Sequence, residues 1–358
     1  MTGDEQHLLP SDVPVMLVDP SGRAVESRYE MPGSSALTDA LAALILGRRL
    51  NEQANALVRQ GRLAVYPSSH GQEACQIAAA QVLADGDWLF PTYRDTVAIV
   101  ARGVDPVEAL SLLKGDWHCG YDPNEHQVAP HATPLATQLP HAVGVAHAAR
   151  LRGEPTVVMA MCGDGATSEG DFHEALNFAA VLRAPVVFFI QNNEYAISVP
   201  LAKQTAAPSL AHKGIGYGIP GERVDGNDAA ALLAVLGSAV RRARDGGGPQ
   251  LIEANTYRVQ AHTNADDATR YRDEAEVTPW LARDPLDRLT RYLALPEDRL
   301  AAFRAEADRV ASSVRDGLNR DVEPDPDGLF THIFATRTPQ LREQAAFLAD
   351  ELEREVAR

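Results

Sequence analysis

Two short apolar runs dominate the pattern of the chain. Thr156–Cys162 (TVVMAMC) and Pro185–Ile190 (PVVFFI) lack the polar alternation of a half-exposed strand. Such runs predict strands buried on both faces of a sheet. Between them, Asp171–Leu182 (DFHEALNFAAVL) repeats its apolar residues at helical spacing. Gly163-Asp164-Gly165 breaks the first run, and Gln191-Asn192-Asn193-Glu194-Tyr195 follows the second. The reading is strand–helix–strand, a right-handed crossover with ligands beyond the carboxyl ends of its strands. Amphipathic spacing predicts further helices over 37–60, 73–83, 285–293, 297–318 and 339–356. Another should start at Thr133–Gln138, capped by Thr133 with Pro134 in its first turn, and run to about Arg152. Strands are expected near Val224 and over Leu251–Tyr257, with Asp225 or Asn227 capping the helix between them. Residues 1–33, punctuated by Pro10, Pro14, Pro20 and Pro32, read as an extended arm over the surface or a neighbouring subunit. The fold class is α/β, a mostly parallel central sheet flanked by helices. The expected parts are an arm (1–33), a binding domain (34–280) and a C-terminal helical extension (281–358).

Both polar clusters leave strand ends, and about thirty positions separate Asp164 from Asn193, the length of one crossover unit. They should lie side by side. A carboxylate, an amide oxygen and a nearby backbone carbonyl, that of Tyr195, are hard ligands suited to magnesium. That ion takes about six oxygens, usually one or two carboxylates with substrate phosphates. Gly163 and Gly165 should let the backbone approach those phosphates closely.

Composition narrows the classes. With 45% apolar and 23% charged residues the chain is globular, and a net charge of −16 disfavours nucleic acid or an anionic membrane as its main partner. No apolar run approaches a membrane span. Cys75, Cys119 and Cys162 lack metal or disulfide spacing, so reduced thiols in the cytoplasm are expected. His118, His126 and His131 sit in an irregular loop and fit no usual zinc pattern.

The run GDGATSEGDFHEALNFAAVLRAPVVFFIQNNEYAIS resembles the thiamine diphosphate signature, GDG with NN some thirty residues on. More specifically it resembles alpha subunits of 2-oxo acid dehydrogenase decarboxylases of the pyruvate and branched-chain type. GQEA at Gly71–Ala74, the Tyr93-Arg94 pair, TPLATQ at Thr133–Gln138 and the text YRVQAHTNADDATRYR at Tyr257–Arg272 carry the same resemblance. It implies a thiamine diphosphate-binding fold and a diphosphate contact at Tyr93 and Arg94. Thr133 and Leu135 are implied near the aminopyrimidine, and Asp164, Gly165, Ala166 and Asn193 around diphosphate and Mg2+. His262 is implied beside the reacting carbon, as a catalytic hydrogen-bond donor or acid–base group. In branched-chain members a structural potassium ion (K+) is implied near Thr133, Thr137 and Gln138. The loop after His262 lacks apolar anchors and is expected to be mobile until cofactor binds, ordered then by Asp266, Arg270, Tyr271 and Arg272.

The resemblance also implies a beta subunit that completes the site in an α2β2 heterotetramer and supplies a glutamate to the aminopyrimidine. The acyl group would pass from a small 2-oxo acid to a lipoyl domain of the acyltransferase component. Gln191 departs from branched-chain members that carry Arg before Asn-Asn to help bind phosphate, and Thr263 stands where animal relatives carry a regulatory serine. Three alternatives compete. A nicotinamide or P-loop protein needs glycine spacings absent here. A scaffold subunit of the same fold would bind no cofactor. An acetoin-cleaving relative would differ in its products. Between substrates the text leans to branched-chain acids such as 3-methyl-2-oxobutanoate over pyruvate.

Overall fold

The computed structural model describes residues 6–115, 119–131, 133–320 and 325–356. His118, one of the three loop histidines, lies outside them. The described residues form two compact units, one through Gly317 and one from Leu318.

In chain order the first unit holds α1 (Ser34–Arg59), α2 (Glu73–Gln81), β1 (Trp88–Phe90), α3 (Thr96–Ala101), α4 (Pro106–Lys114), α5 (Pro123–His126), α6 (Gln138–Arg152) and β2 (Val158–Gly163). It continues through α7 (Gly170–Leu182), β3 (Val186–Asn192), β4 (Tyr195–Ala196), β5 (Val199–Pro200), β6 (Gly221–Asp225) and α8 (Ala229–Arg242). β7 (Gln250–Asn255), α9 (Glu274–Leu281), α10 (Pro285–Leu293) and α11 (Glu297–Leu318) complete the list. The second unit carries α12 (Gly328–Thr331) and α13 (Pro339–Val356), with Arg337 paired to Asp327. No helix of the described residues is long and apolar enough to cross a membrane.

Five strands form one sheet in the order β1-β2-β3-β7-β6, every pair parallel. Side chains of a strand alternate between faces, so each apolar run feeds two cores. Met159, Met161, Val187, Phe189 and Ile252 pack with α1, α2, α8 and α10. Val158, Ala160, Cys162, Phe188 and Ile190 pack with α6 and α7. The predicted crossover is therefore present, and its apolar runs are continuous because both faces are covered. The chain steps outward from β1 through β2 and β3 to β6 and turns back only from β6 to β7, and the crossovers α7 and α8 cover opposite faces, which leaves a crevice at the carboxyl ends of the neighbouring strands β3 and β7.

Both sheet edges are closed. Val15 bridges β6, its N–H donating to the Arg223 carbonyl (2.8 Å) and its carbonyl accepting from the Asp225 N–H (2.9 Å). On the other side Leu89 of β1 exchanges bonds with Gln127 and Ala129 (2.9 and 2.8 Å). Covered edges offer no template for another chain's strand.

Two expected caps are corrected. The helix after TPLATQ begins at Gln138, and neither Thr133 nor Thr137 caps it with a side chain. Residues 133–136 stay irregular, and the Thr137 hydroxyl donates to Asp171 Oδ2 instead (3.1 Å). The cap of α8 is Asp228, not Asp225 or Asn227; its Oδ1 accepts from the Ala230 and Ala231 N–H groups (3.0 and 3.2 Å). The other oxygen of Asp228 takes the N–H groups of Leu17 and Val18 (2.7 and 2.8 Å), while buried Arg288 lies 3.4 Å away. One carboxylate thus ties arm, helix and α10 together.

Asp228→Ala should destabilise the protein by about 2–4 kcal/mol, because it removes the acceptor of four backbone N–H groups, those of Leu17, Val18, Ala230 and Ala231, while Arg288 keeps Asp225 (3.0 Å) and the Val18 carbonyl (2.9 Å). Urea unfolding measures this. Limited proteolysis should cut first within residues 10–32; a loss below about 1 kcal/mol with an intact arm would remove Asp228 as the anchor.

Candidate active site

The β2 and β3 carboxyl ends lie in register, Gly163 beside Gln191. Asp164 follows the first and Asn193 the second, and both are buried. After β3 the chain turns through Glu194 at φ 72°, a left-handed conformation costly for a non-glycine residue. That turn brings the Tyr195 carbonyl back toward Asn193. With the Asn193 amide nitrogen donating to Gln72 Oε1 (3.1 Å), its oxygen faces the Tyr195 carbonyl (3.1 Å) and Asp164 Oδ1 (3.3 Å). Three acceptors then converge with no proton between them. Adjacent ligands of an octahedral magnesium lie about 3 Å apart, given metal–oxygen distances near 2.0–2.1 Å. The donor set therefore fits that cation. Among the described residues no three His, Cys, Asp or Glu side chains cluster as metal ligands; this triangle contains one carboxylate only. Burial pushes the Asp164 carboxyl above its ordinary pKa, against a hydrogen bond from Gln204 Nε2 (2.6 Å).

The two glycines differ in role. A Cβ at Gly163 would meet nothing within 4 Å, as expected for a backbone open to a ligand. At Gly165 it would stand 2.8 Å from Ala196 Cβ. Gly165 is small enough to admit the β4 strand, and it also lines the cavity.

A cavity of about 400 Å3 opens here. Its wall includes Tyr93, Arg94, Thr133, Leu135, Asp164, Gly165, Ala166, Asn193 and His262, with Tyr195. Sequence reasoning had singled out all of these. Apolar Val65, Pro67, Leu113 and Ile197 line the rest, together with Gln72 and Gln191.

Arg94, buried beside α3, donates to the Ser68 carbonyl (2.8 Å) and to His262 Nδ1 and the His262 carbonyl (both 3.2 Å). Arg258, leaving β7, reaches the same His262 Nδ1 (3.3 Å), the Ile197 carbonyl (2.6 Å) and the Tyr271 hydroxyl (2.8 Å). Neither guanidinium pairs with a carboxylate among the described residues. Arg258 Nε and Gln72 Nε2 are buried donors without an acceptor. Uncancelled positive charge and orphan donors fit a polyanion. Arginine only donates, so His262 Nδ1 is the unprotonated nitrogen and the ring proton sits on Nε2. Burial, then the two guanidinium charges, push the His262 pKa down to about 4.

The loop after His262 is tied by Asp266, which accepts from the His262 N–H (2.7 Å) and from the Tyr271 hydroxyl. Arg272 donates to the carbonyls of Arg258, Val259 (2.6 Å) and Gln260 (2.9 Å). The Arg270 side chain is exposed and makes no such bond among the described residues. Gln138 Nε2 donates to the Leu135 and Met161 carbonyls (3.2 and 2.9 Å), and its Oε1 is buried without a donor.

Four participants escaped sequence reasoning. Arg258 stood in the YRVQAHT text, but only the structure turns it toward His262. Gln204 and Gln72 reach the site from loops distant in sequence. Asp95, fully buried, accepts from the Thr92 N–H (2.7 Å) and from Gln191 Nε2 (2.7 Å). Gln191 thereby commits one of its two amide hydrogens to Asp95 while it lines the cavity.

His262 should stay neutral with Nε2 protonated from about pH 8 to about pH 5. Its folded pKa lies below its unfolded one, so the unfolded chain binds the extra proton; stability falls as pH drops from about 6.5 to about 4. Nitrogen-15 spectra of labelled histidine read this directly, and a protonated His262 ring at pH 6 would refute the assignment.

The chain matches the family model described as "Dehydrogenase E1 component" over residues 42–321. It is 47% identical over 348 residues to the 3-methyl-2-oxobutanoate dehydrogenase subunit alpha of Mycobacterium tuberculosis strain H37Rv, covering 95% of each chain. It is 40% identical over 281 residues to the pyruvate dehydrogenase E1 component subunit alpha of Staphylococcus aureus strain Mu50, covering 78% of this chain and 76% of that one.

Proposed function

From the premise that the chain belongs to the dehydrogenase E1 component family, we propose that it is the alpha subunit of a thiamine diphosphate-dependent 2-oxo acid dehydrogenase. What carries the reading is the juxtaposition in one cavity of a cation-shaped oxygen triangle and an anion-shaped donor set. Asp164, Asn193 and the Tyr195 carbonyl would hold Mg2+. Arg94 and Gln72, which line the cavity, would supply N–H donors to the diphosphate, and Arg258, buried behind the wall, would add positive field. Thr133 and Leu135 would lie along the ring portion. A K+ ion near Gln138 is supported by its orphan oxygen alone.

When bound, thiamine diphosphate supplies the nucleophile and electron sink that 2-oxo acid decarboxylation requires. The protein's part is orientation and charge. His262, neutral and protonated on Nε2, would donate a hydrogen bond to a substrate oxygen where negative charge develops. Arg94 and Arg258 fix its tautomer by filling Nδ1. The cavity's apolar wall excludes water from the same region.

Asp164 is the one carboxylate among the described cavity-lining residues, and it belongs to the oxygen triangle. This supports a beta subunit that supplies the group activating the aminopyrimidine, in an α2β2 assembly. The acyl product would pass to a lipoyl domain of the acyltransferase component. Val65, Pro67, Leu113 and Ile197 give room and apolar contact for a branched side chain. A branched-chain acid such as 3-methyl-2-oxobutanoate is proposed over pyruvate, a difference worth about 1–3 kcal/mol in such a pocket. An acetoin-cleaving activity is the second reading, with the same cofactor half-site.

The deciding assay is artificial-acceptor oxidation of 2-oxo acids with thiamine diphosphate and Mg2+, by this chain alone and mixed with its beta-type partner. Activity is expected only in the mixture, roughly tenfold or more faster on 3-methyl-2-oxobutanoate than on pyruvate. Cofactor binding without 2-oxo acid turnover would favour acetoin cleavage, and no binding would leave a scaffold. In the same mixture Asp164→Ala should abolish Mg2+-dependent cofactor binding. His262→Ala should bind cofactor yet lose about 100-fold or more of turnover; near wild-type rates would make His262 a bystander.

A further inference from the structure

Outside the cavity wall, one buried side chain gathers a whole segment of the site's scaffold. Asn51 lies in the middle of α1 and is 2% exposed. Its Oδ1 accepts from the Tyr66 hydroxyl (2.7 Å), the Ser69 N–H (3.2 Å), the Ser69 hydroxyl (3.3 Å) and the Ser68 hydroxyl (3.4 Å). Its Nδ2 lies 3.1 Å from Ser69 Oγ, so that hydroxyl is held from both ends of the amide. A polar residue on the buried face of a helix is costly unless its groups are satisfied. Here the whole satisfaction comes from one segment, Tyr66 to Ser69.

That segment is the strap across the site. The Ser68 carbonyl receives Arg94 Nη1 at 2.8 Å, and the other Arg94 nitrogen holds His262 Nδ1 and the His262 carbonyl. The Tyr66 N–H donates to Asn264 Oδ1 (3.3 Å) in the loop that carries His262. Pro67, between them, lines the cavity. The strap has no helix or strand of its own. Its conformation therefore rests on these bonds, and all but one of its anchors to α1 end on a single oxygen.

We propose that Asn51 is a positioning residue for the Arg94–His262 pair: by pinning Tyr66–Ser69 it fixes the Ser68 carbonyl, and that carbonyl aims the Arg94 guanidinium at His262. Asn51 touches neither cofactor nor substrate. The proposal rests on the reading of Arg94 and His262 as parts of the active site. It adds a residue that neither motif nor cavity marks.

The test compares Asn51→Leu, Asn51→Asp and Ser69→Ala in the full chain, alone and assembled with its partner subunit. Leucine fills the space without an acceptor. Aspartate keeps the acceptor, and the surrounding donors satisfy its charge. Two readouts are taken. Titration of the His262 ring is followed by nitrogen-15 spectra of the full chain without cofactor, with His262→Gln to assign the signal. Thiamine diphosphate binding with Mg2+ is followed calorimetrically in the assembled protein. Asn51→Leu is expected to raise the His262 midpoint above about 4, because Arg94 no longer bears on Nδ1, while burial and Arg258 continue to hold it below the ordinary histidine value. It should also weaken cofactor binding about tenfold to hundredfold. Asn51→Asp should restore both.

A folded Asn51→Leu with an unmoved His262 titration overturns the proposal, even where cofactor binding weakens, since a merely structural role would do that. If Asn51→Leu fails to fold, Ser69→Ala decides, with the same shift in smaller measure expected and no shift overturning the idea. Should the wild type bind no thiamine diphosphate, the functional reading falls, yet the titration still rules on Asn51.

Discussion

Arg94 and Arg258 converge on one imidazole nitrogen without a carboxylate between them, and much of the site is arranged to make that tolerable. Two like charges about 6 Å apart at an effective dielectric near 20 repel by roughly 3 kcal/mol. A carboxylate would remove the repulsion and with it the field. The chain uses dipoles instead: the carbonyls of Ser68, Tyr195, Ile197 and His262, and the Tyr271 hydroxyl. Carbonyls hold a guanidinium in direction but leave its net charge in place. In a protein of net charge −16, that is how an anionic ligand meets a local positive field. Burial and then the same two groups depress the His262 pKa, so charge that would attract an anionic ligand also helps keep the imidazole neutral.

The opposite field lies a few residues away, and the parallel sheet is what keeps the two apart yet adjacent. β2 and β3 end in register, which sets Asp164 and Asn193 on neighbouring strands. β7, on the far side of β3, delivers Arg258 from its own carboxyl end. Acceptors converge at the first pair of ends and donors at the second. A ligand with a bridging cation and phosphate oxygens neutralises both. The left-handed turn at Glu194 stores strain at the junction, where the Tyr195 carbonyl must point back across the crevice.

The sheet-forming runs and the site motifs were legible because each rests on local pattern. Apolar continuity gave β2 and β3, helical spacing gave α1, α7, α10, α11 and α13, and the two polar clusters marked the strand ends between them. What escaped the sequence is what depends on distance across the chain. Asn51 satisfies a strap fifteen and more residues later, Gln204 steadies Asp164, and Asp95 engages Gln191. No spacing rule connects such pairs. The cap errors have a different cause. Thr133-Pro134 is a good helix start by local chemistry, yet the backbone there stays irregular and lines the cavity. The expected cap of α8 was Asp225 or Asn227, and Asp228 takes the place one residue further on, where the arm also brings it two N–H groups.

The phosphate question raised by Gln191 turns on the same economy of donors. An amide in the place of an arginine could be read as a weaker phosphate ligand. Its N–H, however, is held by Asp95 at 2.7 Å, and Asp95 is buried with its second oxygen on the Thr92 N–H. Turning that hydrogen toward an anion would strand a buried carboxylate, at a cost greater than one hydrogen bond returns. Gln191 therefore steadies the turn that carries Tyr93 and Arg94 through Asp95 and keeps one further amide hydrogen beside the cavity it lines. On the proposed reading, diphosphate recognition falls chiefly to Arg94 and the orphan donor of Gln72, with Arg258 adding field from behind the wall and the metal oxygens as counterweight. On that reading the phosphate's support shifts from the β3 end to the flanking loops, which the strap at Tyr66–Ser69 would hold in line through Arg94.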